Sequence, residues 1–326
     1  MHRYFLIPVI SFFIIIVCFV IYLQFINDDW KFLVPKTTLP DTCNDEDDVK
    51  IIVHNDDKIK NRSFKDFKDT NLNKHQIHTV LLLPCERIDR KLDVNLKIQS
   101  SLLAINKWFN EKSLNQKLNF DTKPNNNLDI TFIRVNKTMN WFMGDLNNQE
   151  GYNQNDVSNK IEKIIINNSE IFNNFNKKKF IVFFEGWEKR KYLNYDICGK
   201  SRFDGKVAIY YTYSPFKKYI GKDPNIRNRK QIFSCTKNDH LNEYNDNTFG
   251  NAEETILHEI LHTLGAPAKC AKNIDPINPY HVSDSINDIL YKISGNVYLD
   301  FNNDDYYNHN IVNCPDLKNS KYLKNN

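Results

Sequence analysis

His258 and His262 stand four residues apart, with Glu259 directly after the first, in the run His258-Glu259-Ile260-Leu261-His262-Thr263-Leu264-Gly265. On a helix, residues at this spacing sit one above the other on a single face. Two imidazoles so placed can share one Zn²⁺, and the carboxylate beside the first can take a proton from a water. Histidine is scarce, with 9 His in 326 residues, so a pair at helical spacing beside a Glu stands out from background. The chemistry implied is metal-assisted hydrolysis.

A helix must present these side chains, and the flanking residues supply one. Glu253 and Glu254 put negative charge in the first turn, where it suits the helix dipole. Ile256, Leu257, Ile260, Leu261 and Leu264 recur at helical spacing and make an apolar face. Gly265 supplies a stop, and Pro267 prevents continuation. A lone His beside such a face is an ordinary core-edge residue. The pair together with Glu259 points to a metal.

The glycine after the second His resembles the metzincin clan of zinc endopeptidases, whose pattern is H-E-x-x-H-x-x-G-x-x-H/D. The resemblance implies a third ligand returning after a sharp turn at Gly265. Three residues on, however, stands Ala268, which cannot bind metal. His281 is the best candidate for the third ligand. The stretch from His281 through Asp284 and Asp288 to Leu290 and Tyr291 resembles the matrixin run H-S-x-D-P-x-A-L-M-Y, with one extra residue. Asp284 is the runner-up and Asp275 a weaker choice. Leu290 stands where the clan has Met, a volume-conserving exchange. Tyr291 follows, as a partner of the site or as core. The chain from about residue 75 also resembles a group of secreted bacterial proteins with a zinc helix H-E-L-L-H-T-L-G-A and a tail L-D-x-x-x-D-D-Y-Y. Here that tail runs from Leu299 and Asp300 to Asp304, Asp305, Tyr306 and Tyr307. Asp300, Asn302 and Asp304 begin like a calcium loop, but Asp305 replaces its glycine and Ile311 its glutamate, so a polar turn is expected in place of an EF-hand, with a different Ca²⁺ site as the alternative.

Residues 4–26 are almost wholly apolar, preceded by His2 and Arg3 and followed by Asp28 and Asp29. That length suffices to cross a bilayer of roughly 30 Å. An uncleaved signal anchor is expected, with a cleaved signal peptide as the alternative. Either reading puts the remainder in the secretory lumen or outside the cell. Of 7 Cys, Cys18 lies in the apolar run. The others are even in number, which in an oxidising compartment suggests disulfides, and order along the chain favours Cys43–Cys85, Cys198–Cys235 and Cys270–Cys314. Cys43 as a latency thiolate on the metal is a weaker alternative. Asn61, Asn136 and Asn167 stand in glycosylation sequons. Lys+Arg number 44 against 40 Asp+Glu, and a net charge of +4 without a basic cluster gives no reason to expect nucleic acid binding.

Three segments follow: an anchor over residues 1–27, a polar stalk over 28–74, and a compact domain over 75–326. The stalk carries Pro35, Pro40 and the acidic run 45–48. Strands are expected at 79–83, 128–135, 179–185 and 207–212, and helices at 92–109 and 157–172. With the zinc helix, this order predicts an α/β (α+β) fold. The metzincin-like form of it has a twisted mixed sheet with backing helices and an irregular C-terminal subdomain.

The expected function is zinc-dependent cleavage of a peptide or protein substrate. His258, His262 and His281 would be the ligands and Glu259 the general base. The substrate would add to an edge strand, for which Val207–Tyr211 is the candidate. The alternative is a catalytically inactive scaffold that binds partners through the same cleft, and the absence of a ligand at Ala268 favours it.

Overall fold

The structure, a computed structural model, describes residues 41–68, 74–144, 156–189, 196–213, 219–221, 231–233, 241, 248–291 and 298–325. The apolar segment 4–26, the first part of the stalk and Cys235 lie outside the described residues. Among the described residues no helix is long and apolar enough to cross a membrane.

The chain is mixed α/β. Its strands are β1 (Ile51–Ile52), β2 (Gln76–Leu83), β3 (Gln116–Leu118), β4 (Ile130–Val135), β5 (Lys178–Phe184), β6 (Glu188–Lys189), β7 (Asp196–Ile197), β8 (Gly199–Ser201), β9 (Val207–Tyr211), β10 (Tyr219–Gly221), β11 (Gln231–Phe233) and β12 (Leu323–Asn325). The helices are α1 (Lys97–Lys112), α2 (Met139–Met143), α3 (Asp156–Asn167) and α4 (Asn251–Thr263). The main sheet has the order β1-β4-β2-β5-β9-β8. Its four central strands are parallel, and β1 and β8 are antiparallel edges.

The near-continuous apolar runs of β2 and β5 follow from this position, because both faces of the sheet are covered. Strand period two sends Ile77, Leu81, Ile181, Phe183 and Tyr210 to a core shared with α1 and α4. It sends Val80, Leu82, Val182, Phe184, Ile209 and Tyr211 to a second core under α2 and α3. The backing helices therefore lie on both faces. On α4, Ile256, Leu257, Ile260 and Leu261 are fully buried, each contributing about 1.5–3 kcal/mol of burial. That anchoring fixes the helix that carries the two His.

Two expectations need correction. Residues 42–68, read as stalk, belong to the same compact unit as the rest of the domain. β1 pairs with β4, and Cys43 is bonded to Cys85. The Asp57 carboxylate accepts two 2.8 Å hydrogen bonds from the buried Arg134 guanidinium. Arg62 donates to Asp89 at 2.6 Å and to Asp93 at 2.7 and 2.8 Å, while lying over the Phe132 ring. Charges that look solvated in the sequence are paired inside. The second correction is Asn136. It is buried, and its amide spans the Asp48 carbonyl and the Lys50 N–H, so a glycan there does not fit the folded domain. Asn61 and Asn167 are exposed.

A buried polar network crosses the first part of the sheet. Lys178 donates to both Asp66 and Asp121. His78 spends Nδ1 on Asp121 at 2.8 Å and Nε2 on Thr131 at 2.9 Å. Gln76 donates to the other Asp121 oxygen. Burial pushes the Asp66 carboxyl up to about 6, against the pull of His78 and Lys178.

Beyond α4 the described chain has no α-helix, and only β12, paired with β3, is a strand. Buried carboxylates shape it. Asp300 accepts from the N–H groups of Tyr306 and Tyr307, both at 2.6 Å. Asp288 accepts from the Leu290 and Phe301 N–H groups and from the Tyr306 hydroxyl. The Asp300 run is thus a turn organised on backbone donors. Cys270–Cys314 ties the segment after α4 to the tail.

Candidate metal centre

The ends of α4 are made by local chemistry. Glu253 accepts from the Gly250 N–H at 3.0 Å and caps the first turn. At the other end the Ala266 N–H bonds Leu261 and the Gly265 N–H bonds His262, with Gly265 at φ +86°. This is a Schellman stop, and the left-handed residue has to be Gly or something equally tolerant. The reversal aims the Ala266 carbonyl back at the helix, where it accepts from His262 Nδ1 at 2.9 Å.

His258 is held in the same way. Its Nδ1 donates to the Ile289 carbonyl at 2.6 Å. Ile289 belongs to the turn that Asp288 organises, followed by the fully buried Leu290. Carbonyls only accept, so both Nδ1 atoms carry the hydrogen and both Nε2 atoms present lone pairs. Those two Nε2 atoms are 3.0 Å apart. Two nitrogens bound tetrahedrally at 2.0–2.1 Å to one zinc lie about 3.3 Å apart.

His281 completes the group. Its ring centroid is 5.2 Å from each of the other two. Histidine nitrogens of His258, His262 and His281, one from each, lie within 4.8 Å of one another. The loop carrying it is shaped by Asp275, whose carboxylate accepts from the Ile277 and Asn278 N–H groups. Asp275 therefore builds the turn. Asp284 falls in a different cluster, with Asp304 and Asp305. Ala268 is buried apolar core. Of the three candidates for a third ligand, His281 is the one brought beside the pair.

The electrostatics suit a cation. Burial lowers the His258 pKa to about 4, with His281 adding to the effect. Burial and then the two neighbouring imidazoles hold His262 well below its usual value. All the donor lone pairs of this pair are available at neutral pH, as metal ligation requires. Facing lone pairs at 3.0 Å repel in the absence of a positive charge between them. The donor set, its geometry and the protonation of the α4 pair fit a metal cation.

Glu259 lies on the flank of α4 against β8. Its Oε2 accepts from Ser201 Oγ at 2.6 Å. Burial pushes its carboxyl up to about 7, opposed by that hydrogen bond and by Lys200. Lys200, on the opposite face of the strand, pairs with the buried Glu188, which also accepts from Tyr211. Ser201 and the Ile289 and Ala266 carbonyls carry no signal in the sequence. A three-residue polar strand has no periodicity, and every residue carries a carbonyl. The edge-strand expectation is also corrected. Val207–Tyr211 is β9, flanked by β5 and β8, and the edge is β8.

Cys198 is disulfide-bonded, and its expected partner Cys235 lies outside the described residues. Cys43 is occupied by Cys85 and so is no thiolate for the metal.

No protein-family model matches the sequence, and no curated protein matches it. Two solved structures are similar to part of it. One is catalytically inactive OgpA from Akkermansia muciniphila in complex with an O-glycopeptide (glycodrosocin) substrate, at 10% identity and a TM-score of 0.25. The other is wild-type OgpA from the same organism, at 9% identity and a TM-score of 0.26. Each match covers 53% of this chain and 39% of that chain, so this chain spans about two fifths of their length.

Proposed function

We propose that this chain is a zinc-dependent endopeptidase whose catalytic domain works outside the cytoplasm, anchored through residues 4–26. The observation that carries the reading is the pair of Nε2 lone pairs facing each other at 3.0 Å, with His281 beside them. His258, His262 and His281 would hold the ion. When bound, zinc supplies Lewis acidity, acidifying a water and polarising a carbonyl. Glu259 takes the proton from the attacking water and hands it to the leaving amine. Three protein nitrogens leave room for a fourth position, which separates this reading from a structural zinc site closed by four protein ligands. An extended peptide would add to the edge of the sheet at β8, where main-chain groups recognise the backbone and side chains select sequence. That edge runs alongside the helix carrying Glu259, which supports the same assignment.

Glu259→Gln tests the reading. The change is nearly isosteric and touches no ligand, so fold and metal content should survive. Peptide hydrolysis should fall about 10²- to 10⁴-fold, the usual contribution of a general acid–base group. A wild-type domain that holds zinc yet cleaves nothing in a diverse peptide library would instead support the scaffold reading.

A further inference from the structure

Strand alternation points residues 199 and 201 of β8 at α4 and residue 200 away from it. Both inward residues meet Glu259. Ser201 Oγ donates to Oε2 at 2.6 Å. At Gly199, an added Cβ would lie 2.6 Å from Glu259 Cγ, 2.7 Å from Thr255 Cγ2 and 3.1 Å from Glu259 Oε1. Main chain therefore walls the carboxylate on one side, and a hydroxyl ties it on the other. The turn after β8 adds a third tie, in which the Asp204 N–H donates to the His262 carbonyl at 2.8 Å. The hairpin of β8 and β9 is thus fastened along α4 from Thr255 to His262.

We propose that Ser201 is a positioning residue for the catalytic carboxylate: its hydroxyl fixes Glu259 Oε2 and so sets the orientation in which the carboxylate exchanges a proton. This rests on the peptidase reading. It also means that the strand offered to the substrate is the strand that orients the base. Gly199 makes the arrangement possible by letting the strand approach closely enough.

Ser201→Ala, Ser201→Thr and Ser201→Val separate positioning from bulk. A hydrogen bond to a charged group is worth about 1.5–3 kcal/mol, so kcat on a cleaved peptide should fall about 10- to 100-fold in the Ala variant. KM and zinc content should hold, because the hydroxyl touches neither substrate nor metal. Ser201→Thr restores the hydroxyl and should recover most of the loss. Ser201→Val matches Thr in shape without the hydroxyl and should stay as slow as Ala. A crystal structure of the Ala variant should show the Glu259 carboxylate moved from its wild-type place. An unchanged kcat, equal losses in the Thr and Val variants, or an unmoved Glu259 would overturn the proposal. If the wild-type domain binds zinc but cleaves no peptide, the peptidase reading fails, and the crystallographic comparison still decides what Ser201 does.

Discussion

Two clusters in this domain combine histidine with other polar groups in the interior, and they differ in what remains unspent. In the network of Asp66, His78, Asp121 and Lys178, an ammonium already sits between two carboxylates, and both nitrogens of His78 have partners. Its charges are consumed in holding strands together. In the trio of His258, His262 and His281, carbonyls occupy the Nδ1 atoms of the α4 pair and leave two Nε2 lone pairs facing each other. Proximity of ligand atoms is common to both clusters. The lesson is that a metal site is recognised by lone pairs with no proton and no donor, rather than by the number of ligating residues.

The comparison can be broken most forcefully at Lys178. Lys178→Met removes the ammonium that sits between Asp66 and Asp121 in the interior, leaving His78 as their remaining partner. Removing one partner of a buried ionic group costs about 3–5 kcal/mol, to be read from urea unfolding of the domain. His281→Ala, on an irregular loop, should change metal-free stability by about 1 kcal/mol or less. Equal losses in the two variants would mean that the trio, too, is a structural network.

Acidity separates the clusters by sign. His258 has a folded pKa of about 4, depressed by burial, against 6.5 when unfolded. Between those values the unfolded chain binds a proton that the folded chain refuses. Metal-free stability from this group should therefore fall as pH drops from 6.5 towards 4, by up to about 3 kcal/mol. Asp66 behaves oppositely. Its folded pKa is raised to about 6, so the folded chain holds the extra proton, and its contribution falls as pH rises from 3.8 through 6. Unfolding of the chelator-treated domain across this range, with His258→Ala and Asp66→Asn, checks both signs. Acidification should bring the His258→Ala variant closer to or above wild type. The Asp66→Asn variant should gain on wild type as pH rises.

How much of this was legible in the sequence follows from the physics of each part. β2 and β5 were readable because strands buried on both faces must be apolar throughout, as Val80 to Leu83 and Phe180 to Phe184 are. The start of β5 was missed because Lys178 is a charge and its partners lie far away in sequence. Helix α4 was readable through its apolar stripe and its Gly stop. β8 was not, because its inward positions are a glycine and a serine chosen to fit Glu259 rather than to fill a core. Residues 42–68 looked like a stalk because Asp57 and Arg62 give no sign that guanidinium and carboxylate partners wait for them inside. The choice of His281 over Asp284 depends on how the chain folds back after Gly265. Local spacing is silent on that point, and the analogy to a matrixin-like run was the signal that named His281. Chain order did anticipate Cys43–Cys85 and Cys270–Cys314.

Metal analysis of the purified domain, reconstituted with zinc and then dialysed, tests the central claim most directly. The account predicts about one Zn²⁺ per chain, lost in His258→Ala, in His262→Ala and in His281→Ala, and kept in His78→Ala and Asp284→Ala. A wild-type domain that retains no zinc would contradict it. So would zinc that survives His258→Ala and His262→Ala, or that is stripped by Asp284→Ala and not by His281→Ala.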